Sequence, residues 1–246
     1  MIKNLIQYIY TGWCGIMFVI PMVIFSPLMV IPLLISRKLD GITFFFIRCW
    51  VYMFGITTGI WFIGHNKKSV DRKRSYIFVI NHTSLLDACA IPIAIPSSLV
   101  GLGKKELSKI PIFGWVTSRW AIWVDRSSPE SRREGSQKMK EVLKGGTSVL
   151  IAPEGTRNNT DELLLPFRHG PFRLAIESQI SIIPVIIHDA GKLMRRGSLL
   201  LKPGVVHSYV LPEVPVKGLT EDNVTDLTDK VFKMMKEKIV ELNGSR

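Results

Sequence analysis

His82 and Asp87 are the two side chains whose types and spacing best suit acid–base chemistry, in Asn81-His82-Thr83-Ser84-Leu85-Leu86-Asp87. An imidazole changes charge near neutral pH, and a nearby carboxylate can fix its tautomer and stabilise the imidazolium. Five residues is an awkward helical spacing, since positions i and i+5 lie about 140° apart around the axis. For the pair to cooperate, His82 must stay in the loop before a helix and Asp87 must lie in its first turn. A second reading stands beside this one. Ser84-x-x-Asp87 ahead of an apolar run also resembles a capping box, which satisfies free amides without any catalysis.

Three further clusters carry polar side chains behind apolar runs. Gly103-Lys104-Lys105-Glu106-Leu107-Ser108-Lys109 is either a solvated basic turn or an anion subsite, with Lys104 or Lys105 as a point charge for phosphate. Asp125-Arg126 supplies either a phosphate contact or a local ion pair. In Pro153-Glu154-Gly155-Thr156-Arg157, Gly155 allows close backbone approach and Arg157 can fork onto phosphate or carboxylate. Glu154 could orient that arginine, accept from a ligand hydroxyl, or cap. No P-loop, dinucleotide fingerprint, H-E-x-x-H or G-x-S-x-G elbow is present. His65, His169, His188 and His207 lack metal-ligand spacing, so no metal is expected. The basic residues are not interleaved with aromatics on a nucleic-acid module, which argues against nucleic acid as a partner.

The elements that must position these clusters alternate in type beyond residue 65. Strands are predicted at Tyr76–Ile80, Ser98–Leu102, Ala121–Val124, Ser148–Ala152, Ile182–Ile187 and Val205–Leu211, with helices over about 84–95, 131–144 and 170–179 between them. That alternation predicts an α/β fold, a mostly parallel sheet covered by helices. An amphipathic packing helix over about 221–242 closes the chain.

The first 64 residues read differently. Residues 4–36 form 33 consecutive positions without a charge, a length that as one helix would reach about 50 Å. Pro21, Pro27 and Pro32 predict a kinked, broken or re-entrant path. A second apolar stretch, Gly41 to Gly64, is interrupted by Arg48 alone and is rich in Phe and Trp, as at membrane interfaces. We therefore expect a membrane-embedded helical hairpin at 1–64 and an α/β domain at 65–246. A signal peptide fits poorly because the apolar stretch is too long and lacks a small-x-small site. The basic cluster Lys67, Lys68, Arg72, Lys73, Arg74 outweighs Arg37-Lys38 and places the second domain on the cytoplasmic side. Residues 65–210 carry 22 basic against 12 acidic residues, so most of the +12 net charge lies there and favours anionic partners. Cys14, Cys49 and Cys89 form no C-x-x-C pair and read as reduced packing residues.

The order of the four clusters resembles the motif series of the glycerolipid acyltransferases, from about residue 62 to 211. The matching residues are Asn81-His82-x-Ser84-x-x-Asp87, then Lys104-x-Glu106-Leu107 with Pro111, Gly114 and Val124-Asp125-Arg126. Pro153-Glu154-Gly155-Thr156-Arg157, Leu165-Pro166-Phe167-Arg168-His169-Gly170 and Ile182-Ile183-Pro184-Val185 follow. The branch most similar is that of the lysophosphatidate acyltransferases. The resemblance implies His82 as general base on an acceptor hydroxyl, Asp87 as its orienting partner, and no acyl-enzyme. It implies a phosphate site at Arg157 and Lys104, shaped by Glu154, Gly155 and Thr156, with Arg126 a lesser contributor. It further implies a membrane-embedded N-terminus, no cofactor, and acyl-CoA or an acyl carrier protein as co-substrate. Trp120 departs from the pattern, standing where the family often has glycine. Other acceptors (another lysophospholipid, a lyso-aminolipid or glycerol-3-phosphate) and a non-catalytic lipid-binding role are the alternatives.

Overall fold

Each central strand is apolar without alternation, as expected where helices cover both faces of a sheet. In the computed structural model, which describes residues 2–36, 39–110, 114, 117–118, 120–125, 127–194 and 197–244, all of Ile77–Ile80 and Ile182–His188 is buried. The strands are β1 (Ile60–His65), β2 (Ile77–Ile80), β3 (Leu99–Lys104), β4 (Ala121–Val124), β5 (Ser148–Ile151), β6 (Ile182–His188) and β7 (Gly204–Val210). They form one sheet in the order β1-β7-β6-β2-β5-β3-β4. The pairs from β6 to β4 are parallel, β6 and β7 are antiparallel, and β1 runs parallel to β7.

β1 is a correction. The sequence reading ran the second apolar stretch to Gly64, whereas the helix ends at Thr58 and Ile60–His65 joins the sheet, crossing the point where that reading divides the chain. Gly59 makes the change possible. At φ 72° it occupies the left-handed region, its N–H caps Gly55, and its carbonyl already accepts from Gly204 of β7. Hydropathy alone could not separate the two elements, because β1 is as apolar as the helix before it.

Two long helices precede the sheet, α1 (Ile2–Ile35) and α2 (Asp40–Thr58). α1 continues as one helix through all three prolines, so of the kinked, broken or re-entrant paths expected it is not broken. One compensation is visible. Pro27 cannot donate to the Val23 carbonyl four residues back, and the Ser26 hydroxyl donates to it instead at 2.8 Å. The helices are joined by Trp50, whose ring lies edge-on to Phe18 at 4.7 Å and whose indole N–H donates to the Phe18 carbonyl. Their outer surface leaves Leu5, Ile9, Ile16, Ile24 and Ile31 half or more exposed. Both are long and apolar enough to cross a membrane, and so much exposed apolar surface suits a lipid environment. Trp120 explains its own departure from glycine: its ring packs edge-on against Phe44 of α2 at 5.2 Å, seating the helix pair beside β4.

The remaining helices divide between the two faces. α3 (Asp87–Ala94) joins α2 over Phe62, Phe78, Val185 and Val206. α4 (Pro129–Lys144), α5 (Gly170–Ser178) and α7 (Val224–Gly244) cover Ile77, Val79, Val149 and Ile186. Short α6 (Ala190–Leu193) follows β6. The connection leaving β2 therefore crosses one face while that leaving its neighbour β5 crosses the other. That divergence opens a crevice at their carboxyl ends, where open α/β sheets bind ligands.

Candidate active site

The turn after β2 is held by side chains rather than by regular structure. Asn81 extends the ladder to β6: its amide donates to the Ile187 carbonyl at 2.9 Å and its oxygen accepts from the Ile187 N–H at 2.7 Å. The next residue is then directed out of the sheet. The His82 carbonyl accepts from Asn158 at 2.6 Å, and its N–H donates to Glu154 Oε1 at 2.9 Å. His82 Nδ1 lies 2.6 Å from Asp87 Oδ2, with the imidazole 27% exposed and the carboxylate 1% exposed. With Nδ1–H donating to the carboxylate, Nε2 is left as the basic atom.

Asp87 is the first residue of α3, two residues later in the chain than a helix starting just after Ser84 requires. Half of the expected capping box forms. Asp87 Oδ2 accepts from the N–H groups of Ser84 (3.0 Å) and Thr83 (2.9 Å), but the Ser84 hydroxyl turns elsewhere, accepting from Leu86 and donating to the Met194 carbonyl. One carboxylate oxygen thus holds both the turn and the imidazole, so the capping and catalytic readings describe the same atom. Cys89, one helical turn-half beyond, is buried and unpaired; burial pushes its thiol up to about 12, too high for a nucleophile at neutral pH.

The turn after β5 faces this one. Glu154 is 4% exposed, and both its oxygens accept backbone N–H groups, from His82 and from Leu165 (each 2.9 Å). Burial raises its carboxyl above the usual value, against the lowering effect of those two donors. Of the three roles open to Glu154 in sequence, orienting the arginine, accepting from a ligand hydroxyl or capping, the geometry shows backbone capping, one oxygen on the His82 loop and the other on Leu165. Gly155 sits at φ 71°, and a Cβ there would lie 2.6 Å from Nε of Arg168, so a guanidinium of the chain itself makes the close approach. Arg168 is thereby the residue that sequence reasoning passed over. The signal was its place in the fourth quoted motif, to which no role was attached. Thr156 and Arg157 follow, both half-buried.

The other expected residues are more scattered. Lys104 ends β3, two strands from β2 and so about 10 Å away across the sheet. It is 56% exposed and paired with Glu106 at 3.2 Å. Asp125 accepts from the Ser127 hydroxyl (2.6 Å) and N–H (2.9 Å), which hold its carboxyl below the usual range. Arg126 lies outside the described residues. Above the end of β6, walled on one side by residues 158–163 of the β5 loop, is a cleft of about 840 Å³ bordered also by Asn81, Thr83, His188, Asp189 and Asn243. Among the described residues no group of three His, Cys, Asp or Glu side chains is gathered as for a metal.

Comparison with known proteins gives the family and the fold. Residues 62–188 match the acyltransferase family, a span from β1 to the end of β6 that contains both turns. A 1-acyl-sn-glycerol-3-phosphate acyltransferase of Haemophilus influenzae is 32% identical over 188 residues, 74% of each chain. A protein of that name from Saccharomyces cerevisiae is 29% identical over 176 residues, 70% of this chain and 58% of its own length. The chain thus spans under two thirds of the yeast relative's length. The crystal structure of the 1-acyl-sn-glycerophosphate (LPA) acyltransferase PlsC from Thermotoga maritima superposes with a TM-score of 0.81 at 22% identity, covering 98% of this chain and 97% of that one. That likeness extends the shared fold through the two N-terminal helices. With the histidine–aspartate turn, the facing Glu-Gly-Thr-Arg turn and the adjacent strands β2 and β5 that carry them all inside the matched span, the chain belongs to the acyltransferase family.

Proposed function

We propose that the protein moves a fatty acyl chain from a thioester to the free hydroxyl of lysophosphatidate, making phosphatidate. The observation that carries this reading is the 2.6 Å contact between His82 Nδ1 and Asp87 Oδ2, which leaves Nε2 as a base at the rim of the crevice. Nε2 takes the proton of the acceptor hydroxyl as that oxygen attacks the thioester carbonyl. Asp87 stabilises the imidazolium so formed, and the proton returns to the departing thiolate. The nucleophile belongs to the substrate, so no acyl-enzyme forms. Arg157 and Lys104 bind the acceptor phosphate, with Thr156 and Gly155 shaping the turn and Arg168 adding a second guanidinium beside it. Glu154 fixes the height of the His82 loop through its backbone N–H.

The apolar outer surface of α1 and α2 anchors the chain in the membrane that holds the acceptor. The basic cluster at Lys67–Arg74 puts the crevice on the cytoplasmic face, where acyl-CoA or an acyl carrier protein supplies the acyl group. The names of the relatives and the phosphate-binding chemistry of the Glu154–Arg157 turn favour lysophosphatidate among acceptors. The test is thiol release from acyl-CoA by the purified chain in detergent, with lysophosphatidate, lysophosphatidylcholine and glycerol-3-phosphate in competition. Phosphatidate should be the main product. Faster acylation of either other acceptor overturns the acceptor assignment, and no thiol release with any acceptor, with acyl-CoA or acyl carrier protein, overturns the activity.

A further inference from the structure

We propose that the cleft over β6 is the seat of the donor's pantetheine arm, the amide-bearing chain that CoA and acyl carrier proteins share. The inference rests on the reading above, in which the acceptor phosphate lies at the Glu154–Arg157 turn. Sheet order places that turn over β5 and Lys104 at the end of β3, while the floor of the cleft is the end of β6, and residues 158–163, which continue the turn, wall the cleft between the two. Two substrates must meet at His82, and Asn81 and Thr83, its neighbours in the chain, both border the cleft.

The lining chemistry suits a neutral arm better than a phosphomonoester. Among the described residues that border it, three carboxylates, Asp161, Glu162 and Asp189, stand against two lysines, Lys192 and Lys202. Lys192 is already engaged, 2.9 Å from Asp189 Oδ1, and Asp189 Oδ2 lies 3.1 Å from His188 Nδ1. A dianionic phosphate would meet as much negative as positive charge there. The remaining polar groups are amides and hydroxyls, among them Asn158, Asn159, Asn243 and Ser198, which both donate and accept. A chain of amides and a hydroxyl can satisfy such groups without an ion to desolvate. His188, 7% exposed, reaches Asn243 Oδ1 at 3.1 Å through Nε2, so the end of α7 is pinned as a wall of the cleft. At about 840 Å³ the space is within the range of small-molecule sites.

The experiment uses the full chain in detergent and free pantetheine as probe. Pantetheine should inhibit turnover competitively against acyl-CoA and non-competitively against lysophosphatidate. Asn159→Trp and Ser198→Trp, which fill the cleft from two sides, should each raise KM for acyl-CoA about tenfold, ~1.4 kcal/mol, while KM for lysophosphatidate stays within about twofold. Acyl-pantetheine, acyl-CoA and an acyl carrier protein are compared as donors. A similar rise for all three assigns the cleft to the shared arm, and a rise confined to acyl-CoA overturns that in favour of its nucleotide end. A rise in lysophosphatidate KM alone, or no change in either variant with unaltered thermal melts, also overturns the proposal. Direct titration of pantetheine separates the two readings: binding that the tryptophans abolish, without transfer to lysophosphatidate, retains the cleft assignment and rejects the acceptor.

Discussion

The turns after β2 and β5 look alike in sequence and do different work. Each follows an apolar strand, each ends in polar residues, and each contains a carboxylate that could cap, orient or bind. In the β2 turn, Asp87 gives one oxygen to two backbone amides and to the imidazole, so the carboxylate touches the His82 ring directly. In the β5 turn, Glu154 gives one oxygen to the His82 backbone and the other to Leu165, so it acts on the first turn from outside. The two lie side by side because β2 and β5 are adjacent in the sheet, although 72 residues separate His82 from Glu154. One turn holds the imidazole–carboxylate pair and its neighbour holds the backbone of that turn.

Four substitutions break or sharpen that contrast. His82→Ala removes the base and should lower kcat about a thousandfold or more, with lysophosphatidate binding retained in equilibrium titration. Unchanged turnover would end the general-base assignment. Asp87→Asn keeps the volume but disturbs the tautomer and weakens support of the imidazolium. A loss of about a hundredfold in kcat is expected, with the pH–rate profile altered as well as lowered. If Asp87 only capped α3, thermal stability would fall and the profile would keep its shape.

Arg157→Ala tests the β5 turn as a binding element. KM for the phosphate-bearing acceptor should rise roughly 10–100-fold, the scale of a charged hydrogen bond, while KM for acyl-CoA stays put. The reverse pattern would move Arg157 to the donor. Glu154→Gln has the smallest expected effect, roughly tenfold in kcat, because one amide oxygen replaces two acceptors and the His82 loop loses a fixed height. Its stability should depart from the wild type in a defined direction. Burial raises Glu154 in the folded chain, so its contribution is fully present below the unfolded value of 4.5 and is lost as pH rises through the raised folded value. Melts between about pH 4 and about pH 8 should show the wild type losing stability relative to the variant across that window. A difference that grows with pH would mean that the two amide donors outweigh burial.

Much of the fold follows from local patterning. Ala121–Val124 is a strand with the predicted bounds, and Ser148–Ile151 and Ile182–His188 lie within a residue of theirs. Gly145 ends α4, as the Gly145-Gly146 pair implies. Short strands fully buried on both faces leave an uninterrupted apolar run, and such runs are visible in sequence. β1 was missed for the same reason, since its apolar residues continue those of α2 and a single glycine marks the join.

The sequence by itself marked out the candidate site residues. His82, Asp87, Glu154 and Arg157 are legible from residue type and from their places behind apolar runs, because a strand end is a local property. The tertiary structure alone decided who holds whom. Strand order puts β5 beside β2, which gives both Glu154 oxygens to backbone amides, one of them that of His82. A φ of 71° at Gly155, with no Cβ there, lets the Arg168 side chain pack against the turn. The antiparallel return of β7 against β6 leaves His188 and Asp189 beside a cleft next to His82. The contact of Glu154 with His82 joins residues 72 apart in the chain, and the free energy that selects it comes from burying the sheet, which no local window of sequence contains.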